Sequence, residues 1–370
     1  MLVAVRKYDW ILSGALALLF TISVSMLFSA SSGDSFMSSR LTRQVMSFGV
    51  ALVFYFVIAS FPYHSLKRYV VPMYAIGLIA LVVVGQIAPV IRGTTSRAEL
   101  FGIQIQPSEY MKIAIIIMLS WLFAKYSVSR VTFLVSAVLV ALAFILIAVE
   151  PDVGEAALVL LLWGSLIVYI GIPWRTIGII ALLGVVVFFG AWHWAFADYQ
   201  KNRLLTFIDP TSDPLGAGYN VTQSIVALGS GGLMGRGLGH GPQSQLKFLP
   251  ERHTDFILAS VGEELGFIGI CLIIGLYAVL LWRIMKIAQS TKDPFGQYLA
   301  ASIFLLLLIS FFISAGMNMG LLPVTGIPLP LVSYGGSNLV GTMILLGIVQ
   351  SVKHYSHWVR KAPSELTEFT

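Results

Sequence analysis

Ionisable residues are scarce in this chain, so the places where they gather are informative. Glu251, Arg252, His253, Thr254 and Asp255 arrive together just before an apolar run that begins at Phe256. Carboxylates and histidines are the side chains that move protons, and arginines hold anions. A plainer use is also open. Thr254 and Asp255 could cap the helix that follows, because Asp at a helix start satisfies free N–H groups and suits the dipole. Two turns deeper, Glu263 and Glu264 interrupt an otherwise apolar segment. Ionisable groups in such segments are costly and face a polar cavity or a partner. Phosphate, sugar hydroxyls, a metal ion, or the basic residues Arg203, Arg236, Lys247 and Arg252 would each serve.

Three further constellations stand out. In Gln106-Pro-Ser-Glu-Tyr-Met-Lys112, Pro107 suits the first turn of a helix, and Glu109 and Lys112, three apart, share one face as a local ion pair or as part of a site. In Glu150-Pro-Asp-Val-Gly-Glu155, three carboxylates crowd together. They repel one another unless a cation sits among them or one keeps its proton. The run Leu322-Pro-Val-Thr-Gly-Ile-Pro-Leu-Pro-Leu-Val-Ser-Tyr-Gly-Gly-Ser337 is too apolar for a solvent loop and too broken for one helix. Irregular backbone of this kind is tolerated in a membrane where it is buried in protein or lines a cavity, which predicts a re-entrant segment along the site.

Signatures of soluble enzymes are absent: there is no GxxxxGK[ST], HExxH, GxSxG or paired CxxC. The glycines at 229, 231, 232, 235, 237, 239 and 241 do not satisfy GxGxxG at any offset. They either build tight turns or let backbone N–H groups approach a ligand. The single cysteine, Cys271, sits in an apolar run and has no intramolecular disulfide partner.

These groups need elements to position them. Charged residues are 11% of the 370, against about 25% in an ordinary soluble domain, and 57% are hydrophobic. Apolar runs near 10–30, 45–61, 70–90, 110–124, 131–149, 156–172, 177–196, 256–284, 298–322 and 333–352 are long enough to span a hydrocarbon layer of about 30 Å. The fold class is therefore an all-α, polytopic membrane protein of about ten helices in one domain, residues 1–370. The first run, after Arg6 and Lys7, lacks a small-x-small cleavage site and is expected to be a retained helix.

Lys67, Arg68, Lys125, Arg130, Arg175, Arg283, Lys286, Lys292, Lys353, Arg360 and Lys361 fall on the side of Arg6 and Lys7. Only Arg40, Arg43, Arg92, Arg97 and Lys112 lie on the other outside the long loop. The positive-inside rule then places both termini in the cytoplasm. The basic residues are scattered in ones and twos, which argues topology and not nucleic acid. The segment 197–255, between the seventh and eighth helices, is an extracytoplasmic loop. Its apolar anchors and a short helix at Val221–Leu228 lie on or dip into the membrane.

Four pieces in this order resemble the SEDS family (shape, elongation, division and sporulation), and its RodA-like branch in particular. They are Gln106-Pro-Ser-Glu-x-x-Lys112, Asp209-Pro-x-x-Asp-Pro-Leu-Gly-Ala-Gly-Tyr219, Gln243-Ser-Gln-Leu-x-Phe-Leu-Pro-Glu-Arg-His-Thr-Asp-Phe-Ile257 and Gly326-Ile-Pro-Leu-Pro-Leu-Val-Ser-Tyr-Gly-Gly-Ser337. The resemblance covers essentially the whole chain. It implies an inverting peptidoglycan glycosyltransferase of the bacterial cytoplasmic membrane that polymerises lipid II and releases undecaprenyl pyrophosphate. It also implies a class B penicillin-binding protein as partner, with other elongation-machinery membrane proteins and membrane lipids around it. Glu150 and Glu155 depart from the family, which more often has Gln and Thr there, and Gln104 stands where relatives can have Arg.

The resemblance gives Asp255 the role of base toward the acceptor hydroxyl. Arg40 and Lys112 match functional positions of the family; Glu109, Arg203, Lys247, Glu251, Arg252, His253, Ser333 and Ser337 are expected to bind sugar or pyrophosphate beside them. Glu109 and Asp152 are candidate ligands for a divalent cation, Mg2+ or Mn2+, and no organic cofactor is expected. Two other functions use the same features: a lipid II transporter or flippase, which needs polar groups along a path through both halves, and a non-catalytic scaffold of the cell-wall synthase in which Asp255 only caps a helix.

Overall fold

Inside hydrocarbon every backbone N–H and C=O has to be satisfied within the protein, so long apolar runs fold as helices. The computed structural model describes residues 8–31, 35–87, 98–100, 103–126, 128–194, 196–209 and 216–356. Arg6, Lys7, Arg92, Arg97, Arg360 and Lys361, which bear on orientation, and positions 210–215 of the second motif lie outside the described residues.

The long helices are α1 (Trp10–Ser31), α2 (Ser35–Ser60), α3 (Leu66–Ile87), α4 (Pro107–Lys125), α5 (Arg130–Val149), α6 (Val153–Ile170) and α7 (Trp174–Trp194), and then, after the long loop, α11 (Ile257–Ser290), α12 (Pro294–Asn318) and α13 (Gly336–Tyr355). The loop itself contributes α8 (Asp198–Ile208), α9 (Ala217–Ser230) and the single turn α10 (Pro242–Gln245). The helix expected at Val221–Leu228 is thus the core of α9. The chain is a multi-pass membrane protein. Among the described residues, eight helices are by themselves long and apolar enough to cross a membrane. α13 is not one of the eight, and it tolerates Ser337, Thr342, Gln350 and Ser351 because all four are buried against protein. One short hairpin departs from the helical expectation: β1 (Ala98–Leu100) pairs antiparallel with β2 (Ile103–Ile105), Glu99 opposite Gln104.

Helix ends follow local chemistry. Ser129 caps α5 through the Thr132 N–H, Asp152 caps α6 through the Glu155 N–H, and Asp293 caps α12 through the Gly296 N–H, each at 3.2 Å. Pro107 and Pro294 occupy first-turn positions, where a missing N–H costs nothing. α4 lies at the centre, against α3, α5, α12 and α13, and is buried along most of its length. α13 runs along α2, and α11 packs on α1 and α12. α7 stands at the periphery and exposes Ile179, Leu182, Leu183, Val186 and Phe189, as a helix facing lipid should.

At the end of the bundle opposite the long loop, Asp9 ties four helices together. Its carboxylate caps α1 at the Leu12 N–H (3.1 Å) and pairs with Arg283 of α11 (Nε to Oδ2, 2.9 Å) and Lys353 of α13 (3.0 Å). The Asp9 N–H donates to Gln350 Oε1 at 2.9 Å, and the Gln350 amide donates to Tyr55 of α2 at 2.8 Å. Burial alone would raise the Asp9 pKa, but the hydrogen bonds from Arg283, the Leu12 N–H and Lys353 outweigh it and hold the group below the usual carboxylate range. A depressed carboxylate contributes stability above its unfolded pKa and loses it as pH falls through the folded one. Asp9→Asn, which leaves Arg283 and Lys353 facing a neutral amide, is expected to cost about 3 kcal/mol. It should also remove part of the acid-side fall in stability, read by thermal unfolding in detergent across pH.

Candidate active site

The loop is fastened to the membrane body by a break in α11. Gly266 takes φ 69° and ψ −164°, so Phe267 and Ile268 no longer donate to the carbonyls of Glu263 and Glu264. The glycine-rich turn fills the gap. Arg236 and Gly237 N–H donate to those two carbonyls, both at 3.0 Å, while Phe267 and Ile268 N–H donate to Gly232 O (2.9 Å) and Leu233 O (3.2 Å). A Cβ on Gly235 or Gly266 would run into the facing backbone, so this approach requires glycine at both positions. The turn through residues 232–237 is thus a backbone seam, its Arg236 and Gly237 N–H groups committed to α11.

The two deep glutamates serve the same seam. Glu263 accepts from Gln243 N–H (2.7 Å), Ser244 N–H (2.9 Å) and Ser244 Oγ (2.6 Å); Glu264 accepts from Ser29 Oγ (2.6 Å) and Gln245 Nε2 (3.0 Å). The polar partner demanded by their depth is therefore the loop and α1, not a ligand. Arg203 on α8 and Lys247 are solvent-exposed, and neither is brought to Glu263 or Glu264.

The capping role considered for Thr254 and Asp255 is not what the structure shows. The N-cap of α11 is Phe256, with no side-chain cap of its own. Thr254 Oγ1 instead donates to Glu251 Oε2 at 2.8 Å. Thr254 and His253 present their carbonyls to the broken run after α12: Ser333 Oγ donates to Thr254 O (2.6 Å), and Tyr334 N–H donates to His253 O (2.8 Å). The Asp255 carboxylate lies beside Gly326, which has φ 77°. His253 and Arg252 are both buried, with Arg252 Nη2 reaching the Ala30 carbonyl at 3.5 Å. The His253 ring meets Tyr334 edge-on at 5.9 Å, and Arg40 stacks over the same tyrosine at 5.6 Å.

On the other side of the broken run lies a buried ion triad. Lys112 Nζ is 2.9 Å from Glu109 and 2.8 Å from Glu155, and all three side chains are at most 5% exposed. Asn338 Nδ2 donates to the second oxygen of Glu109 at 3.0 Å. Ser337 accepts from the Gln106 N–H (3.2 Å), whose side chain donates to Asp152 Oδ2 (3.1 Å). The spacing that suggested a Glu109–Lys112 pair was correct but missed its third member, Glu155, which lies in another helix. Gln44 and Asn338 were also missed: Asn338 ties α13 to Glu109, and Gln44 holds the broken run, donating to Ser333 O (3.4 Å) and accepting from Gly335 N–H (3.2 Å).

Glu109 and Asp152 commit their oxygens to these partners. Among the described residues, no group of three or more His, Cys, Asp or Glu is arranged to hold a metal ion. Glu150 is the odd member of the acidic cluster: both its oxygens are buried, with no hydrogen-bond partner among the described residues. Burial, with the Asp152 charge adding to it, pushes its pKa up to about 8. That shift favours the protonated form of Glu150 and eases the crowding of the three carboxylates.

The sequence matches the family described as cell cycle protein (FtsW, RodA, SpoVE) over residues 4–358. The chain belongs to that family. Peptidoglycan glycosyltransferase MrdB of Escherichia coli (strain K12) is 38% identical over 347 residues, 93% of each chain. Stage V sporulation protein E of Bacillus subtilis (strain 168) is 35% identical over 357 residues, 92% of this chain and 95% of that one. Among solved structures, a chain of a peptidoglycan synthase complex that coordinates polymerization and crosslinking superposes with TM-score 0.82 at 27% identity, covering 95% of this chain and 98% of that one. The Rod shape determining protein RodA of Thermus thermophilus superposes with TM-score 0.71 at 25% identity and the same coverage. The RodA-like resemblance read from four motifs is thus carried by nearly the whole length of this family member.

Two outcomes follow for the site. Glu150 carries its raised pKa only when folded, so its contribution to stability is complete below the ordinary value of 4.5 and is lost as pH rises through about 8. Glu150→Gln is expected to flatten that alkaline decline in a pH series of thermal melts. Lys112→Met leaves Glu109 and Glu155 as uncompensated buried carboxylates and is expected to cost about 3–5 kcal/mol. Glu155→Gln, which keeps one ion pair, should cost far less in the same denaturation assay.

Proposed function

We propose that this chain is an inverting peptidoglycan glycosyltransferase that polymerises lipid II at the face carrying the long loop, with Asp255 as the base. The observation that supports this most directly is the position of Asp255. It stands at the entrance to α11, its carbonyl held by Asn318 and its carboxylate beside Gly326, in a family whose named relatives include peptidoglycan glycosyltransferases. In the proposed step Asp255 takes the proton from the acceptor hydroxyl. The oxygen attacks the anomeric carbon of the donor sugar, and the bond from that carbon to the pyrophosphate oxygen breaks. A single displacement of this kind inverts the anomeric centre and releases undecaprenyl pyrophosphate.

Positive charge has to receive the departing pyrophosphate. Arg40, stacked on Tyr334, is assigned to that role, with Lys112 on the far side of the broken run and Arg252 beneath the loop. Ser333 and Ser337 hold the wall between them; Glu251 and His253 flank the base, and Arg203 and Lys247 lie on the exposed loop surface where they would meet substrate on entry. The proposal includes a class B penicillin-binding protein as the crosslinking partner, with other elongation-machinery membrane proteins around it, in the bacterial cytoplasmic membrane with both termini cytoplasmic. Among the described residues no group of three or more His, Cys, Asp or Glu could hold a metal ion, so Mg2+ or Mn2+ held at Glu109 or Asp152 would take its remaining ligands from the substrate's pyrophosphate.

The test is glycan polymerisation from purified lipid II by the chain with its class B partner, with and without Mg2+ or Mn2+. Asp255→Asn, at matched thermal stability, is expected to lower polymerisation by at least about a hundredfold. Equal strands from both proteins would remove Asp255 from the chemistry. Translocation of lipid II across a bilayer without polymer would favour a transporter, and partner activation by an inactive chain would favour a scaffold.

A further inference from the structure

Asn318, the last residue of α12, is fully buried, and its side-chain amide is saturated by groups from two elements. Its Nδ2 donates to the carbonyl of Asp255 and to the carbonyl of Ser314, each at 2.8 Å. Its Oδ1 accepts from the Ala259 N–H at 3.0 Å. Its own main-chain carbonyl accepts from Ser224 Oγ of α9 at 2.7 Å.

The geometry of the Ala259 bond is that of a helix cap supplied from elsewhere. Phe256 is the N-cap of α11 and offers no side-chain acceptor, and Ala259 is the third helical residue, whose N–H an N-cap Asn would ordinarily satisfy. Asn318 provides that oxygen across the chain, from the end of the next helix. With the other end of the same amide it holds the carbonyl of the residue just before the cap, which is Asp255. The surroundings are apolar: Ala227, Leu249, Phe256, Ala259 and Met317 form a separate small core beneath the loop. A buried amide there has no water to fall back on, so each of its bonds is costly to lose.

We propose that Asn318 is a positioning residue for the base: it caps α11 in trans and, through the Asp255 carbonyl, fixes the backbone from which the carboxylate projects beside Gly326. The proposal rests on Asp255 being the base. Asn318 does not touch the reacting atoms; it sets where the base stands, and a displacement of about 1 Å at such a group is enough to cost about a hundredfold in rate.

The test compares wild type, Asn318→Ala, Asn318→Asp and Ser224→Ala by polymerisation kinetics with the class B partner, and by amide hydrogen exchange over residues 257–260. Asn318→Ala is expected to lower kcat by roughly ten- to a hundredfold with KM nearly unchanged, and to speed exchange at the Ala259 amide. Asn318→Asp, while protonated, keeps both an acceptor for Ala259 and a donor for Asp255. Its kcat should approach wild type at low pH and fall as the buried carboxyl ionises, a pH response that Asn318→Ala lacks. Ser224→Ala touches only the Asn318 main-chain carbonyl and should keep wild-type kcat. Wild-type kcat in folded Asn318→Ala would overturn the positioning role, and unchanged Ala259 protection would overturn the cap. A wild type that makes no glycan overturns the base assignment and the positioning role with it; the exchange measurement then reports on the cap alone.

Discussion

The structure depends on satisfying the backbone of one broken run, residues 319–335, inside a membrane protein. A helix satisfies itself; this run cannot, and unpaired N–H and C=O groups in hydrocarbon cost several kcal/mol each. The partners come from every side. Ser333 turns back to accept from Leu329 N–H at 2.9 Å while donating to Thr254 O, and Tyr277 of α11 donates to the Pro330 carbonyl from below. Gln44 brackets Ser333 and Gly335 from α2. Leu331 is held at φ 67°, a conformation disfavoured for a side-chain-bearing residue, and it persists because it is buried among these contacts. The groups that hold the run also place the proposed chemistry. His253, Thr254 and Asp255 are fixed on one edge through their carbonyls, which accept hydrogen bonds, and Glu109 and Gln106 are fixed on the other through Asn338 and Ser337.

Charge is arranged around the same run with an imbalance. One ammonium, Lys112, is shared by two buried carboxylates, while Asp152 is occupied by a helix cap and the Gln106 amide. Burying an ion pair gains little over an apolar pair; breaking one is expensive. A second carboxylate on Lys112 therefore adds restraint on where the ammonium points more than it adds stability. Glu155 and Glu150 are two of the positions where this chain departs from the pattern of the family it resembles, and both enlarge the acid content of this wall.

The sequence made the scaffold legible because hydrophobic run length is a local signal, and every long helix lies where a run predicted it. α13 was found by its run although its buried Gln350 and Ser351 lower its apolarity. The motif at 248–257 stood out in the sequence because it gathers ionisable types at a helix start. Its local reading still erred: Thr254 is held by Glu251, and the cap of α11 is supplied by Asn318, 59 residues further along the chain from Ala259. Gln44 and Asn338 escaped notice for the same reason, with partners 289 and 229 residues away. Glu263 and Glu264 showed the converse. Their depth correctly demanded polar company, but no spacing rule can tell a ligand from a loop backbone that arrives through a helix break at Gly266.

That break explains how the segment 197–255 can be long without being loose. Two helical hydrogen bonds are given up at Gly266 and four are made with the glycine turn, and the carboxylates of Glu263 and Glu264 then bind the backbone and side chains just beyond it. The loop is thereby locked to α11 on the C-terminal side of Asp255, while Asn318 and the broken run lock the residues around Asp255 itself. In the proposed displacement, holding Asp255 and the reacting groups in place lowers the barrier more than added basicity does. The rigid parts of this loop are concentrated on that one aspartate. The exposed apolar residues Leu233, Met234, Leu246 and Phe248 are left on the outer surface, where a membrane boundary or a partner can cover them without disturbing the seam beneath.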